Sequence, residues 1–190
     1  MSTTLAETAA PALTMLSEEE EMFRDAVRDF ATSEIAPRAM RMDEAQELDA
    51  DLIPQLFELG LMAVEIPEEY GGTGSTFFTS VLIVEELSRV DPGVAVLVDV
   101  QNTLVINAIN RWGTDEQKAR LFPRLASDTV GAYALSEAGS GSDAFALACR
   151  ATQDGGDWVL EGQKLWITSG EEAGIYIVFG QSGDRPGPID

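Results

Sequence analysis

Histidine is absent from this sequence, and cysteine and lysine are scarce, with one and two residues respectively among 190. Without histidine, neither a Ser–His nor a Cys–His nucleophile can form, and no Gly-x-Ser-x-Gly turn is present. The same scarcity argues against a zinc or redox-metal site. Because the lone Cys149 excludes an intrachain disulfide, we expect a reducing, cytoplasmic setting. The sequence therefore predicts neither a hydrolase nor a metalloenzyme.

Positive charge is also scarce, since 12 Lys and Arg residues are outnumbered by 33 Asp and Glu residues, for a net charge of −21. Such a charge repels nucleic acids and anionic membrane surfaces, and no run approaches the roughly 20 apolar residues of a membrane span. We expect neither a nucleic-acid partner nor a membrane span. Residues 1–16 contain no Lys or Arg and no apolar stretch of signal-peptide length, so we interpret them as a disordered leader.

The first part of the chain, residues 17–128, predicts an all-α domain of five helices. Residues 17–20 have the spacing of a capping box, and apolar residues then recur at helical spacing until Pro37, which disfavours continuation of the helix. Asp followed by Pro at 91–92 predicts another helix start. The remaining helices are predicted at 52–59, from 75 and from 114 to about 125, with a glycine-rich loop at 68–74.

The second part, residues 129–190, predicts a β domain. Short runs rich in β-branched and aromatic residues alternate with glycine-rich turns, the pattern of an antiparallel meander. About 60 residues in a few strands without a disulfide give only a marginal core, so we expect an incomplete domain with strand faces exposed around Val159, Leu165 and Ile177. The predicted strands lie at 130–135, 158–160, 165–168 and 175–179, and the predicted turns at 138–143, 154–157 and 170–174.

Two segments of the β domain are candidates for chemistry. Residues 136–143 follow a predicted strand and are rich in Gly and Ser, so their backbone could approach a diphosphate closely. They lack the end of a phosphate-binding loop and the spacing of a dinucleotide fingerprint, and a wide hairpin turn is the commoner structure for this composition. Trp166 could present an aromatic face to a ring cofactor, with Thr168 supplying a hydroxyl. A core position on a strand is the commoner explanation for Trp166, and Tyr133 is equally ambiguous.

Four sequence motifs, in this order, resemble those of acyl-CoA dehydrogenases. The resemblance extends over nearly the whole chain after the leader. It is strongest with the short/branched-chain members, through residues 99–104 and the stretch from Ser136 to Leu147. The four motifs are LMAVEIPEEYGGTG at 61–74, WGTDEQK at 112–118, YALSEAGSGSD at 133–143 and GQKLWIT at 162–168.

This resemblance implies an α+β protein with an N-terminal all-α helical domain at 17–128 and a truncated antiparallel β domain at 129–190. It implies a C-terminal four-helix domain that is absent from this chain, and a homotetramer when the protein is complete. It also implies FAD as the cofactor. The residues implied to contact FAD are Tyr133, Leu135, Ser136, Gly141, Ser142, Trp166, Ile167 and Thr168.

The resemblance further implies the reaction. A glutamate base removes the α-proton of an acyl-CoA while the β-hydrogen passes as hydride to flavin N5, and the electrons then pass to an electron-transfer flavoprotein. Ser142 is implied to lie near the thioester of the substrate, whereas the base belongs to the C-terminal domain, so no catalytic residue is assigned here. We therefore expect a truncated, FAD-dependent dehydrogenase of short or branched-chain acyl-CoA that is inactive alone. The alternative is a non-catalytic or split-enzyme subunit.

Overall fold

The computed structural model describes residues 15–183, which form a helical domain followed by a small β domain, the α+β class predicted from the sequence. Within these residues the helices form five continuous rods, two of which contain a π-helical turn. The helices are α1 Glu18–Phe30, α2 Ala36–Ala45, α3 Leu52–Glu58, α4 Phe77–Ser88, α5 Pro92–Asp99, α6 Asn107–Trp112 and α7 Asp115–Ser127, with π-helical turns at Ala31–Ile35 and Val100–Ile106 and a 3₁₀ turn at Glu68–Tyr70. The predicted leader, residues 1–16, lies almost wholly outside the described residues.

Local capping determines where several helices begin. The hydroxyl of Ser17 accepts the N–H of Glu20 at 3.2 Å, and the carboxylate of Glu20 accepts the N–H of Ser17 at 2.7 Å. This confirms the predicted capping box at the start of α1. A second capping box opens α7, and the carboxylate of Asp91 caps α5. These starts depend on residues within one turn of each other, and the sequence therefore predicts them correctly.

The expectation that the first helix ends before Pro37 is wrong. The rod continues from α1 through the π-helical turn Ala31–Ile35 into α2, where Pro37 lies in the first turn. In a regular helix, proline lacks the N–H for the backbone ladder and clashes with the carbonyl four residues earlier. In the wider π turn, Ala36 donates to the carbonyl of Ala31. This altered ladder accommodates the proline, so that the rod continues.

The second π-helical turn carries two buried amide side chains, Gln101 and Asn102. Gln101 accepts the N–H of Gly131 at 2.7 Å and donates to the carbonyls of Leu125 and Thr129, both at 3.3 Å. Asn102 likewise bonds three backbone groups within the helical domain. Because Gly131 is the first residue of the β domain's first strand, Gln101 links the central rod directly to that domain.

The β domain contains two separate two-stranded sheets within the described residues. Strands β1 and β4 are parallel, with Gly131 opposite Ile175, whereas β2 and β3 form an antiparallel hairpin. The predicted antiparallel meander is therefore correct for the hairpin and wrong for β1 and β4. The strands are β1 Gly131–Ala134, β2 Arg150–Asp154, β3 Asp157–Glu161 and β4 Ile175–Val178.

The predicted strand at 165–168 is also wrong, since these residues form an irregular segment that leads into a turn. Trp166 has a φ of +58°, which is incompatible with the extended backbone of a strand. The β-branched and aromatic residues of this run are therefore misleading as a strand signal. Strand β2, in contrast, was not predicted, because its sequence RATQD is polar.

The β2–β3 hairpin has both faces exposed, as predicted around Val159, whereas Leu165 and Ile177 are half-buried, so the same prediction is wrong for them. Trp158, Val159 and Leu160 are each more than half exposed, whereas Ala132 and Ala134 of β1 are buried. An exposed apolar strand pair is an aggregation hazard in an isolated chain.

One helical rod among residues 15–183, Pro92–Trp112, is long and apolar enough to cross a membrane by length and composition alone. In the structure, 56% of its most apolar window is buried inside the protein, and Val98, Val105 and Ile106 lie in the core. This length and composition are equally typical of the buried central helix of a folded domain.

A bidentate ion pair joins α1 to α4. Arg28 donates from Nε and Nη2 to the two carboxylate oxygens of Glu86 at 2.8 and 2.7 Å, and Glu86 is only 3% exposed. These hydrogen bonds hold the pKa of Glu86 below its ordinary value of 4.5, against the opposing effect of burial. Since the folded pKa is the lower one, the carboxylate stabilises the fold above its unfolded pKa, and this contribution is lost as the pH falls through the folded pKa.

We predict that Arg28→Met lowers the melting temperature at neutral pH, because it leaves the buried Glu86 carboxylate with only a long contact to Arg89, whose Nη1 lies 3.9 Å from Oε2. The deficit should narrow as the pH falls from about 6 to about 3, since protonation removes the buried charge. Melting curves across this range measure the effect. Arg120→Met is the control, because Arg120 is exposed on α7 and is not among the charges that act on Glu86. A deficit for Arg28→Met that stays constant over the whole pH range would contradict the prediction.

Candidate functional site

The two segments that the sequence singled out meet at the end of β1. Beyond this strand the chain continues through Leu135 and Ser136, and the N–H of Leu165 donates to the carbonyl of Ser136 at 2.9 Å. The ammonium of Lys164 donates to the carbonyl of Leu135 at 3.0 Å. These bonds place the segment after β1 alongside the residues that lead into Trp166.

Glu137 and Lys164 form a nearly buried ion pair at this junction, with side chains 6% and 12% exposed and an Oε1–Nζ distance of 2.6 Å. The carboxylate also accepts the N–H groups of Ala148 at 2.6 Å and Cys149 at 3.1 Å. The hydrogen bond from Lys164, followed by those from the backbone, lowers the pKa of Glu137. Neither residue was selected as a candidate from the sequence, because partners 27 positions apart carry no local signal of pairing.

The segment 138–143 forms a tight turn that is not the turn of a hairpin. Glu137 and Ser140 exchange backbone hydrogen bonds at 2.9 and 3.1 Å, and the buried hydroxyl of Ser140 donates to the carbonyl of Asp143 at 2.9 Å. The strands on either side, β1 and β2, pair with β4 and β3 respectively. The alternative of a wide hairpin turn is therefore wrong.

The outer surface of this turn is open to solvent. Gly141 and Ser142 are exposed, and a Cβ built on Gly139 or Gly141 meets no atom within 4 Å. Packing among residues 15–183 therefore does not require glycine at either position. Close approach of a ligand to the backbone is a physical reason for glycine at such open positions.

Trp166 is not a core residue, because its side chain is 92% exposed. Its φ of +58° lies in the left-handed region, which costs a non-glycine residue roughly 1–3 kcal/mol. The next turn is closed by the N–H of Gly170, which donates to the carbonyl of Ile167 at 3.1 Å, and Ile167 and Thr168 are half-buried. Strain of this kind is commonest at functional sites.

Tyr133 lies on β1 and is half-buried. Its ring is tilted against that of Phe179, with the centroids 4.8 Å apart, and burial raises the pKa of its hydroxyl. Packing therefore accounts for the position of Tyr133 but not for that of Trp166. Ser142 and Trp166 are both exposed, and no hydrogen bond joins them among the described residues.

A cavity of about 740 Å³ lies between the end of α2, the α4–α5 connection and the turn after Trp166. Thr168 and Ser169 contribute to one part of its lining, and Val94 and Leu97 of α5 contribute to another. The hydroxyl oxygen of Ser169 is buried and has no hydrogen-bond partner in the described part of the chain. Buried polar atoms are normally satisfied, and the Oε2 atom of Glu65 and the hydroxyl of Ser80 are likewise buried without a partner in this part of the chain. Over residues 15–183, no group of three or more His, Cys, Asp or Glu side chains is placed to hold a metal ion.

Comparison with known proteins identifies the family. The model of the acyl-CoA dehydrogenase N-terminal domain matches residues 17–129, and that of the acyl-CoA dehydrogenase middle domain matches residues 132–188. The chain belongs to the acyl-CoA dehydrogenase family. The family resemblance predicted from the four motifs is thereby confirmed.

Its curated relatives include short/branched-chain members of this family. The chain is 48% identical over 168 residues to a probable short/branched chain specific acyl-CoA dehydrogenase of Dictyostelium discoideum, and 44% identical over 167 residues to the mitochondrial short/branched chain specific acyl-CoA dehydrogenase of Bos taurus. Each match covers 88% of this chain but only 41% and 39% of the respective relative. The chain thus spans about two fifths of the length of these acyl-CoA dehydrogenases.

A solved structure confirms the family fold. Glutaryl-CoA dehydrogenase from Mycobacterium smegmatis superposes with a TM-score of 0.83 at 37% identity, over 89% of this chain and 44% of that chain. A second structure of a glutaryl-CoA dehydrogenase from the same organism was solved in complex with FADH₂ and has the same TM-score at 33% identity.

Proposed function

We propose that this chain forms part of an FAD-dependent acyl-CoA dehydrogenase that converts a short or branched-chain acyl-CoA to its trans-2-enoyl-CoA. The proposal includes an electron-transfer flavoprotein as electron acceptor and a homotetramer as the complete assembly. Membership of the family and the short/branched-chain specificity in the names of two relatives support it.

The observation that carries the flavin assignment is Trp166. An indole that is 92% exposed and held in a strained backbone conformation contributes nothing to the core of this chain. A planar aromatic surface beside polar backbone is suited to stacking against a flat ring system and to excluding water from it. Buried core packing, the commoner role of tryptophan, is excluded by its exposure.

The residues present fit a flavin and its diphosphate. The open backbone at Gly139 and Gly141 admits close approach of a diphosphate, and the exposed Ser142 can donate its hydroxyl. The residues proposed to contact FAD are Tyr133, Leu135, Ser136, Gly141, Ser142, Trp166, Ile167 and Thr168.

When bound, the flavin would supply the acceptor for the hydride that leaves the substrate. The role of this chain is to bind the flavin, to orient the substrate against it and to shield the ring from water. Ser136 and Thr168 can donate hydrogen bonds to ring positions that gain negative charge in the transition state, which favours hydride acceptance. Ser142, proposed also to lie near the thioester, would orient the substrate against the same ring. No residue of this chain is assigned as the base.

The activity is tested in a chimaera in which this chain replaces the matching residues of the Dictyostelium relative. We expect flavin to copurify and a branched-chain acyl-CoA to reduce a dye acceptor. This chain by itself should show no dehydrogenation, because removing one member of a cooperating set already cripples a site. A chimaera that is folded but colourless and inactive would refute the proposal.

We predict that Trp166→Phe changes the absorbance spectrum of bound flavin and weakens FAD binding without lowering the melting temperature. The smaller ring loses stacking area, whereas a side chain that is 92% exposed contributes little to stability. The measurement is an FAD titration of the chain followed by flavin fluorescence, beside a thermal melt. Trp158→Phe in the hairpin is the matched control, since Trp158 is also exposed. Loss of stability with an unchanged flavin spectrum would mean that Trp166 only packs.

A further inference from the structure

Three consecutive residues at the end of β1 are each held by the neighbouring segment. The ammonium of Lys164 bonds the carbonyl of Leu135 and the carboxylate of Glu137, and the N–H of Leu165 bonds the carbonyl of Ser136 between them. Ser136 is therefore held on both sides by contacts to one strip of chain. Among the described strands, no ladder of a regular sheet joins these two segments, which are joined instead by these three hydrogen bonds, two of them from Lys164.

Glu137 also bonds the backbone that follows the glycine-rich turn. Its Oε2 accepts the N–H of Ala148 at 2.6 Å, while its Oε1 accepts both the N–H of Cys149 and the ammonium of Lys164. The carboxylate of Glu137 therefore holds both ends of the segment 138–147 together. One buried anion receives three donors from two different parts of the chain.

We propose that Glu137 and Lys164 are positioning residues, a clasp that sets the placement of the turn 138–143 relative to residues 164–168. The inference rests on the proposed function, because it concerns the two segments assigned to flavin contact. Neither side chain needs to touch the flavin. The clasp would act by holding the open backbone at Gly141 and the exposed ring of Trp166 at one fixed separation, so that both reach a single rigid ligand.

Substitutions at positions 137 and 164 can remove the ion pair while changing little else. Glutamine at position 137 keeps the size of the side chain, but its amide nitrogen is a donor and must oppose one of the three incoming donors. Lys164→Met keeps much of the apolar stem and removes the charge and both hydrogen bonds, whereas Lys164→Arg retains a cation that can still reach the carboxylate. Glu34→Gln is the control, since Glu34 pairs with Arg38 in a more exposed ion pair on the helical domain.

The experiment uses two measurements, made on the full chain or, if FAD binds only to the chimaera described above, on that chimaera. Hydrogen exchange at the amides of Ala148 and Cys149 reports on the clasp without any ligand, and titration with FAD reports on the site. We expect Glu137→Gln and Lys164→Met each to speed exchange at both amides, to weaken FAD binding by about tenfold and to change the spectrum of bound flavin. The double variant should be little worse than either single one, Lys164→Arg should restore most of the affinity, and Glu34→Gln should change neither quantity.

The outcomes separate this inference from the proposed function. Faster amide exchange with unchanged FAD affinity and spectrum would overturn the positioning role and leave a structural ion pair only. Additive losses in the double variant would also overturn it, because two halves of one clasp cannot fail independently. If the unaltered chain does not bind FAD and the chimaera is colourless, the proposed function fails, and the positioning role fails with it whatever the exchange data show.

Discussion

Replacing Gln101 by leucine is expected to destabilise the chain by about 3 kcal/mol or more, since three backbone groups lose a partner and each buried unsatisfied group costs about 1–3 kcal/mol. The groups are the N–H of Gly131 and the carbonyls of Leu125 and Thr129. Leucine has a similar volume and cannot bond any of them. For a chain of this size the loss corresponds to a fall in melting temperature of about 10 °C.

The effect should extend from the helical rod into the β domain. A Cβ at Gly131 would lie 2.6 Å from a methyl group of Val105, so strand β1 runs very close to the rod and little room remains for water to replace the lost amide. Thermal melts and hydrogen exchange at Gly131 measure the change. Gln55→Leu is the matched control, because that side chain lies near the surface and bonds a single carbonyl. Equal melting temperatures for the two variants would contradict the account of Gln101.

Replacing Gly141 by valine is expected to weaken FAD binding by about a hundredfold, because a branched side chain blocks approach of the diphosphate and loses about two hydrogen bonds worth about 1.5 kcal/mol each. The fold should survive, since a Cβ at this position meets no atom within 4 Å. Ser142→Ala, which removes only a hydroxyl, should cost less. The measurements are the FAD dissociation constant and the melting temperature of each variant.

Gly156 offers a matched control for this prediction. It lies in the β2–β3 turn, and a Cβ there also meets no atom within 4 Å, so Gly156→Val adds the same bulk at an equally open position away from the proposed site. We expect it to bind FAD as the unaltered chain does. Equal affinities for Gly141→Val and Gly156→Val would show that the turn at 138–143 does not receive the diphosphate.

The fold elements that were predicted correctly are those encoded over a few neighbouring residues. The capping boxes at Ser17 and Thr114 and the Asp91 cap satisfy backbone groups within one turn, so their signal is complete in the local sequence. Pro37 shows the limit of such reasoning. Its local effect is unfavourable to a helix, but a π-helical turn stabilised by packing of the buried Ala31 and Ile35 accommodates it.

In the candidate site, too, some features were recognisable from the sequence and others only from the structure. The glycines and serines of 136–143 and the aromatic Trp166 were recognised from composition and from family motifs, which are properties of short segments. Whether that turn closes a hairpin, and whether Trp166 is core or surface, depended on the tertiary structure. The parallel pairing of β1 with β4 decided the first question, and the 92% exposure of the indole decided the second.

By itself, the sequence determined the class of the fold, the starts of several helices and the family. Each of these depends on local patterns or on short sequence motifs. Only the tertiary structure decided that Glu137 and Lys164 meet, that Gln101 joins the two domains and that Trp166 faces solvent. The physical reason is that hydrogen bonds and ion pairs between distant segments depend on how the chain brings those segments together. Neither partner's local sequence carries information about the distance to the other.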